Sequence, residues 1–196
     1  MQPKPGETDR YTYADYLRWP DDERWELIDG EAYAMTPAPT PNHQTIEAEL
    51  IRQLTNYFLD KPCRVFPAPF DVRLPRGAEA DDAVNTVVQP DIAVVCDDAK
   101  IDRRGCRGAP DWVIEILSPS TAGHDQVRKL ALYERHGVKE LWIVHPDDRI
   151  VMAFRLEGDR YGRPEIAETR ETTAPALFPD LAIDWALVFA KIPAES

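Results

Sequence analysis

Two apolar stretches decide the fold, QPDIAVV at residues 89–95 and DWVIEILSP at residues 111–119. Each is rich in Val and Ile and is bounded by turn-forming residues, which predicts a buried β-strand. Asp91 stands at the start of the first stretch, and Glu115 lies inside the second. A charged side chain is costly to bury without compensation. Two carboxylates on neighbouring strands therefore predict a site for a hard cation such as Mg²⁺ or Mn²⁺.

The composition indicates one globular domain. The chain has 196 residues, of which 43% are hydrophobic and 30% charged. We expect a flexible N-terminal arm at 1–10, a single domain over 11–190 and a short C-terminal tail at 191–196. The net charge of −12 argues against a generally basic nucleic-acid-binding surface, because attraction to phosphate dominates nonspecific binding. A local basic patch, a metal-rich cleft or a dimer groove is still compatible with nucleic acid.

The cysteines and the hydropathy pattern indicate the compartment. Cys63, Cys96 and Cys106 have no metal-binding spacing, and an odd number of cysteines predicts reduced thiols in a cytoplasmic protein. The first residues lack the apolar segment of a signal peptide. No apolar run approaches the roughly 20 residues that a membrane helix needs. We therefore expect a soluble, cytoplasmic protein with no membrane partner.

The remaining pattern alternates strands with two longer helices. Asp29-Gly30 is a strong hairpin signal between two short strands. Asn42 is suited to cap a helix that continues to Phe58. The other predicted elements are strands at 64–66, 70–74, 141–144 and 149–156, a helix at 123–136, a weak strand at 161–171 and a closing apolar segment at 177–189. This order indicates an α/β or α+β fold in which helices pack on a mixed sheet.

Polar residues at apolar positions allow two interpretations each. His43 and Glu47 fall inside the apolar arc of the first long helix, one turn apart. Either His43 lies near solvent while Glu47 snorkels or pairs with an arginine, or Glu47, alone or together with His43, projects toward the carboxylates of the sheet. Glu26 is either a solvent-facing residue of the first strand or an active-site carboxylate.

One loop carries the best candidate for a basic patch. Lys100, Arg103, Arg104 and Arg107 cluster within residues 97–109, among several aspartates. Such a cluster is either a solvated loop or a contact for phosphate.

The two sheet carboxylates suit phosphodiester hydrolysis if a metal ion binds to them and a lysine lies close by. A divalent metal acts there as a Lewis acid and activates water, and a lysine stabilises the charge that builds up in the transition state. On the same face of the strand, the lysine would stand two residues after Glu115, where this chain has Leu117. Lys129, on the following helix, is the alternative donor. Its simpler interpretation is a surface ion pair with Asp125.

These residues resemble a known family. The motifs that carry the resemblance are DERWELIDGE (22–31), PNHQ (41–44), QPDI (89–92), GAPDWVIEILSPST (108–121), KLALY (129–133) and GVKELWIVHP (137–146). Together they are similar to the Uma-type restriction endonuclease family of the PD-(D/E)XK nuclease superfamily, over roughly residues 11–190.

The resemblance implies an α/β, restriction-endonuclease-like core with about four central strands in a mixed β-sheet flanked by helices. It also implies Mg²⁺-dependent cleavage of DNA. Asp91 matches the Pro-Asp motif, Glu115 matches the (D/E) position, and Lys129 would be a migrated lysine. For Glu47 and His43 the superfamily offers a loose parallel, an acidic residue on the first core helix. A homodimer is expected by analogy.

Three functions follow from these observations. The first is a metal-dependent DNA endonuclease that uses Asp91, Glu115 and Lys129. The second is a catalytically inactive nuclease fold that serves as a binding or assembly module, as Leu117 and the negative net charge suggest. The third is an acidic oligomeric domain in which a buried Glu115 pairs with an arginine.

Overall fold

The computed structural model describes residues 10–20, 23–35, 38–117 and 124–192. The predicted N-terminal arm, except residue 10, and most of the predicted C-terminal tail lie outside these ranges. Within them, no helix is both long enough and apolar enough to cross a membrane.

Strands form most of the described elements. The helices are α1 (Tyr13–Tyr16), α2 (Pro41–Phe58), α3 (His124–His136) and α4 (Trp185–Val188). The strands are β1 (Trp25–Ile28), β2 (Glu31–Ala34), β3 (Arg64–Pro67), β4 (Val72–Arg73), β5 (Val87–Val88), β6 (Ile92–Val95), β7 (Ile101–Asp102), β8 (Gly105–Arg107), β9 (Trp112–Ile116), β10 (Glu140–His145), β11 (Ile150–Glu157), β12 (Arg160–Tyr161), β13 (Glu165–Glu168), β14 (Thr172–Thr173) and β15 (Ile183–Asp184).

A mixed sheet lies at the centre of the molecule, in the order β12-β11-β10-β9-β6-β3, and β13 also pairs with β11. Strands β9 and β10 run parallel, whereas β6 and β11 are antiparallel to their neighbours. Because β6, β9 and β10 are almost wholly buried, they are the near-continuous apolar runs expected of strands covered on both faces. The predicted α/β fold with a mixed sheet and flanking helices is confirmed.

Helix α2 covers one face of this sheet. Its apolar stripe of Ile46, Leu50, Leu54 and Phe58 packs against the sheet and Trp185. The helix begins earlier than predicted, because Thr40 rather than Asn42 is its N-cap and accepts a hydrogen bond from the His43 amide. Pro41 then occupies the first helical turn, where its missing N–H has no cost.

Helix α3 covers the other face and connects β9 to β10. A parallel pair needs such a crossover, and Leu132 and Tyr133 bury the inner side of α3. A smaller sheet, in the order β2-β1-β5-β4-β8-β7, packs on the same side through residues such as Ile28 and Val72. The first hairpin of this sheet turns at Asp29 and Gly30, both at positive φ, as predicted.

Cys63 and Cys96 are joined by a disulfide, so the prediction of three reduced thiols is wrong. The antiparallel ladder of β3 and β6 pairs Arg64 with Val95, and the next step of the same register sets the two cysteines opposite each other. Cys106 is free and buried. Disulfides are rare in cytosolic proteins, so this bond weighs against the cytoplasmic location, which stays a prediction.

Reducing this disulfide should lower the free energy of unfolding by about 3–4 kcal/mol, because the bond closes a loop of 33 residues. Urea denaturation with and without dithiothreitol measures the effect. The double variant Cys63→Ser, Cys96→Ser should show the lower stability and no response to dithiothreitol. Alkylation of the unreduced, unfolded chain should label one thiol, and labelling of three thiols would contradict the bond.

Candidate active site

Asp91 lies at the start of β6, beside the N-terminal end of α2. Its Oδ2 atom accepts a hydrogen bond of 2.7 Å from the Ile116 amide of β9. The same oxygen is 3.1 Å from Nε2 of His43. The carboxylate is therefore fixed between a strand and a helix through a single oxygen.

Glu115 lies opposite Asp91, on the neighbouring strand β9. The ladder of β6 and β9 pairs Ile92 with Ile114, and the next step of this register sets Asp91 opposite Glu115. Directly opposed residues share a face of the sheet, with their Cβ atoms about 4.5–5.5 Å apart. The structure thus brings together the two carboxylates that the sequence placed on neighbouring strands.

Lys129 reaches Glu115 from helix α3. Its Nζ atom is 3.4 Å from Oε1 of Glu115 and 3.1 Å from Oε1 of Glu26. Lys129 is 9% exposed, so it is a buried residue; the side chain of Asp125, its predicted surface partner, lies outside the part of the chain described. Leu117 packs on the α3 face of the sheet, which is the face that Lys129 approaches.

Tyr133 is a site residue that the sequence reasoning missed. It lies four residues after Lys129, one helical turn along the same face of α3, and its hydroxyl donates a hydrogen bond of 2.6 Å to Oε1 of Glu115. The KLALY run contains this spacing, which could have identified it. The partners of Glu115 are thus a lysine and a tyrosine, and the hypothesis of an arginine partner is wrong.

Glu26 is buried, at 3% exposure, so its interpretation as a solvent-facing residue is wrong. Its Oε1 atom accepts a hydrogen bond of 3.1 Å from the Gln89 amide as well as contacting Lys129. The Gln89 side chain accepts hydrogen bonds from Arg24 and donates one to Asp71. Gln89, just before the Pro-Asp motif, therefore connects the hairpin of β1 and β2 to the site.

His43 and Glu47 project toward Asp91, which is the second of their two interpretations. His43 is buried, and the first interpretation, a histidine near solvent, is wrong. Its Nδ1 atom lies 3.8 Å from Oε2 of Glu47. Both residues thus reach the site through Asp91, which His43 contacts directly.

The electrostatics of the site reflect an excess of carboxylates. Burial, and then the charges of Asp91 and Glu26, raise the pKa of Glu115 to about 7 against the opposing effect of Lys129. Burial and the charge of Asp91 also raise the pKa of Glu47. Burial acts to lower the pKa of His43, but the hydrogen bond to Asp91 outweighs it and the pKa is raised. An added cation would relieve these interactions.

In the metal-free protein, Glu115 should make folding less favourable as the pH rises from about 4.5 to about 7. Over this range the folded state keeps the Glu115 proton, with its pKa of about 7, while the unfolded chain, in which the glutamate has its ordinary pKa of about 4.5, has lost it. The free energy of unfolding then falls by at most about 1.4 kcal/mol per pH unit from this group, and the contribution is constant above that range. Urea denaturation of the wild type and Glu115→Gln between pH 4.5 and 8 measures it, and a difference independent of pH would contradict it.

Two of the three arginines of the predicted basic patch are paired with aspartates, and the third, Arg103, is exposed. Arg104 lies 3.5 Å from Asp81 and 3.4 Å from Asp82, and Arg107 lies 3.4 Å from Asp81. Lys100 donates a hydrogen bond to the Ala109 carbonyl. These contacts favour a structural role for the loop over contact with phosphate.

The donor set fits a magnesium-like ion held by two carboxylates. Within the described ranges there is no group of three or more His, Cys, Asp and Glu side chains arranged to hold a metal. Mg²⁺, however, is often bound through one or two carboxylates, with water and substrate phosphate as its other ligands. Oδ1 of Asp91 and Oε2 of Glu115 are not used in the hydrogen bonds above, so one oxygen of each carboxylate is available.

Comparisons with known proteins show the family to which the chain belongs. The model of the Uma2 family, described as "Putative restriction endonuclease", matches residues 13–186. Uncharacterized protein slr1290 of Synechocystis sp. is 30% identical over 153 residues, which are 75% of this chain and 71% of that protein.

A solved structure has the same fold. It is the crystal structure of a putative nuclease belonging to DUF820 from Anabaena variabilis, with a TM-score of 0.72 at 21% identity, covering 91% of this chain and 97% of the other. Since the matched family model extends from α1 to α4 and includes every candidate site residue, the chain belongs to the Uma2 family.

Proposed function

We propose that the protein is a metal-dependent endonuclease that hydrolyses phosphodiester bonds in DNA. The observation that carries the proposal is the contact of Lys129 Nζ with Glu115, at 3.4 Å, on the face of the sheet where Asp91 stands opposite Glu115. A lysine and two carboxylates at one point are the charge set that phosphodiester hydrolysis requires. Membership of the Uma2 family supports the same reaction class.

Asp91 and Glu115 are the proposed metal ligands, for Mg²⁺ or Mn²⁺. When bound, the ion would supply a Lewis acid and lower the pKa of a water molecule. Asp91 keeps a fixed orientation through the Ile116 amide and His43. Tyr133 orients Glu115 by donating to one of its oxygens. His43 and Glu47 are proposed as auxiliary residues that position Asp91.

Lys129 is the proposed stabiliser of negative charge on the phosphoryl group. The ammonium is buried and held between Glu26 and Glu115. A fixed charge in a site of low dielectric needs little reorganisation during the reaction, which makes it effective. Glu26 is then a positioning residue that acts through Lys129.

Cleavage of plasmid DNA tests the proposal. Supercoiled plasmid incubated with the purified protein should become nicked or linear with Mg²⁺ or Mn²⁺, and it should stay intact with EDTA. Products that form equally in EDTA would reject the metal dependence. The absence of products with either metal, from a protein whose fold is verified by circular dichroism, would reject the nuclease proposal.

A second candidate is a nuclease fold that binds without cutting. The observations that favour it are Leu117 in place of a strand lysine and the lack of a three-ligand metal cluster in the described part of the chain. Titration with Mn²⁺ by calorimetry separates the two candidates. Metal binding that Asp91→Asn removes supports the enzyme, whereas DNA binding without metal binding supports the module.

We propose a homodimer and a cytoplasmic location as parts of the same function. Cleavage of both strands of a duplex suits a two-fold pair of sites, and a DNA substrate is compatible with a cytoplasmic location. Light scattering coupled to size-exclusion chromatography should give twice the chain mass of 22.3 kDa. A mass equal to one chain would reject the dimer.

A further inference from the structure

A polar pocket of about 500 Å³ lies between the first hairpin and helix α3. We call it the hairpin pocket, and its polar lining residues are Arg10, Asp29, Glu31, Tyr33, Arg76 and Arg128. The pocket is distinct from the contacts of Asp91 and Glu115, and none of the roles proposed above uses its arginines.

Cations outnumber carboxylates in the hairpin pocket. Three arginines face two acids, and Arg135 of α3 adds a fourth guanidinium by pairing with Asp29. Burial acts to raise the pKa of Asp29, but hydrogen bonds from Arg135 and Arg76 outweigh it and lower the pKa. A hydrogen bond from Tyr33 and the contact with Arg10 lower the pKa of Glu31. Both acids are therefore ionised at neutral pH, and the pocket is still positive in a chain of net charge −12.

Arg128 differs from the other arginines of the pocket. Its guanidinium carbon lies 4.0 Å from the centre of the Tyr33 ring, whereas Arg10 and Arg76 pair with Glu31 and Asp29. No carboxylate of the described residues forms an ion pair with Arg128. A guanidinium held over an aromatic ring keeps its N–H donors, which can bind a phosphate in a bidentate manner.

The hairpin pocket borders the proposed active site. Strand β1 carries Glu26, and two residues later on the same strand Ile28 lines the pocket. Helix α3 presents Lys129 to the site, and the preceding residue, Arg128, faces the pocket. A nucleic-acid strand with one phosphate at Lys129 would therefore bring an adjacent phosphate near Arg128.

We propose that the hairpin pocket binds a backbone phosphate of the DNA substrate, through Arg128 with Arg10 and Arg76. This inference rests on the proposed function for the identity of the ligand, a phosphodiester. It assigns the substrate-binding charge to the hairpin and α3, and not to the basic loop at 97–109, where Arg104 and Arg107 are paired with aspartates.

Binding can be measured separately from cleavage by fluorescence anisotropy. The probe is a fluorescein-labelled 20-base-pair duplex in EDTA, over a series of NaCl concentrations. Arg128→Gln should weaken binding about tenfold, and the slope of log K against log [NaCl] should become shallower by about 0.9. Arg10→Gln should act in the same direction; Arg10 is 68% exposed, so its replacement leaves the fold intact.

Arg170→Gln is the matched control, since Arg170 is 82% exposed, pairs with Glu168 and lies outside the pocket. It should change neither affinity nor salt slope. Pocket variants with unchanged affinity and slope, or a wild type that does not bind the duplex, would overturn the proposal. A wild type that binds through Arg128 but never cuts would leave the pocket in place and reject only the nuclease function. If the pocket variants cut DNA and bind the duplex as well as the wild type does, only the proposed role of the pocket would be rejected.

Discussion

Replacement of Glu115 by glutamine should lower DNA cleavage at least about a thousandfold and leave the protein folded. Glutamine keeps the size of the side chain and an oxygen for the Tyr133 hydroxyl, but it removes one of two charges that would hold a divalent ion. Lys129 keeps Glu26 as its partner, so no buried cation is left without compensation. Initial rates of plasmid nicking in Mg²⁺ measure the loss, and Asp91→Asn should match it.

Glu140→Gln is the control for this replacement. Glu140 is also a buried glutamate, and it lies on the neighbouring strand β10, where it accepts hydrogen bonds from Trp142, Ala176 and Leu177. Its replacement should reduce the free energy of unfolding by about 1–3 kcal/mol without changing the cleavage rate of the folded protein. Cleavage by Glu115→Gln at the wild-type rate would reject the assignment of Glu115.

Replacement of Lys129 by methionine should affect both stability and activity. It removes the ammonium between Glu26 and Glu115 and leaves two buried carboxyl groups without their cation, which should cost about 3–5 kcal/mol of stability at a pH well above 7, where both are charged. The loss should shrink as the pH falls, since protonated carboxyls no longer repel. Cleavage should fall about a hundredfold to a thousandfold.

The double variant Glu26→Gln, Lys129→Met separates the two effects. Only Glu115 then remains as a charged group of the trio, so urea denaturation should show that much of the lost stability returns. Cleavage should stay as low as in the single variant, because the ammonium is still missing. Recovery of cleavage together with stability would mean that Lys129 has a structural role alone.

The central strands and the first hairpin were predictable because their signals are local. The Val- and Ile-rich runs around Asp91 and Glu115 and the Asp29-Gly30 turn need no distant partner to be recognised. The opposition of Asp91 and Glu115 also followed, since consecutive buried strands of this type commonly pair. Lys129 came from the family resemblance and from its place on the helix after β9.

The misses at Glu26, at the disulfide and at the basic loop depend on packing between distant segments, whereas Tyr133 lies one helical turn after Lys129. Glu26 looks like an exposed strand residue until the hairpin sheet is laid against α3, where it meets Lys129. The disulfide joins two cysteines that are 33 residues apart, and it depends on the register of β3 with β6. The arginines of the loop at 97–109 meet Asp81 and Asp82 only once β4, β7 and β8 pair. No residue pattern within one segment predicts these contacts.

Leu117 stands where a lysine was expected on the strand, and the lysine beside Glu115 comes from helix α3 instead. Leu117 packs on the α3 face of the sheet, which is the face from which Lys129 reaches Glu115. A search for the lysine by fixed spacing along the chain would miss Lys129 in this protein. The appropriate criterion is three-dimensional: a cation of any origin within a few ångströms of the second carboxylate.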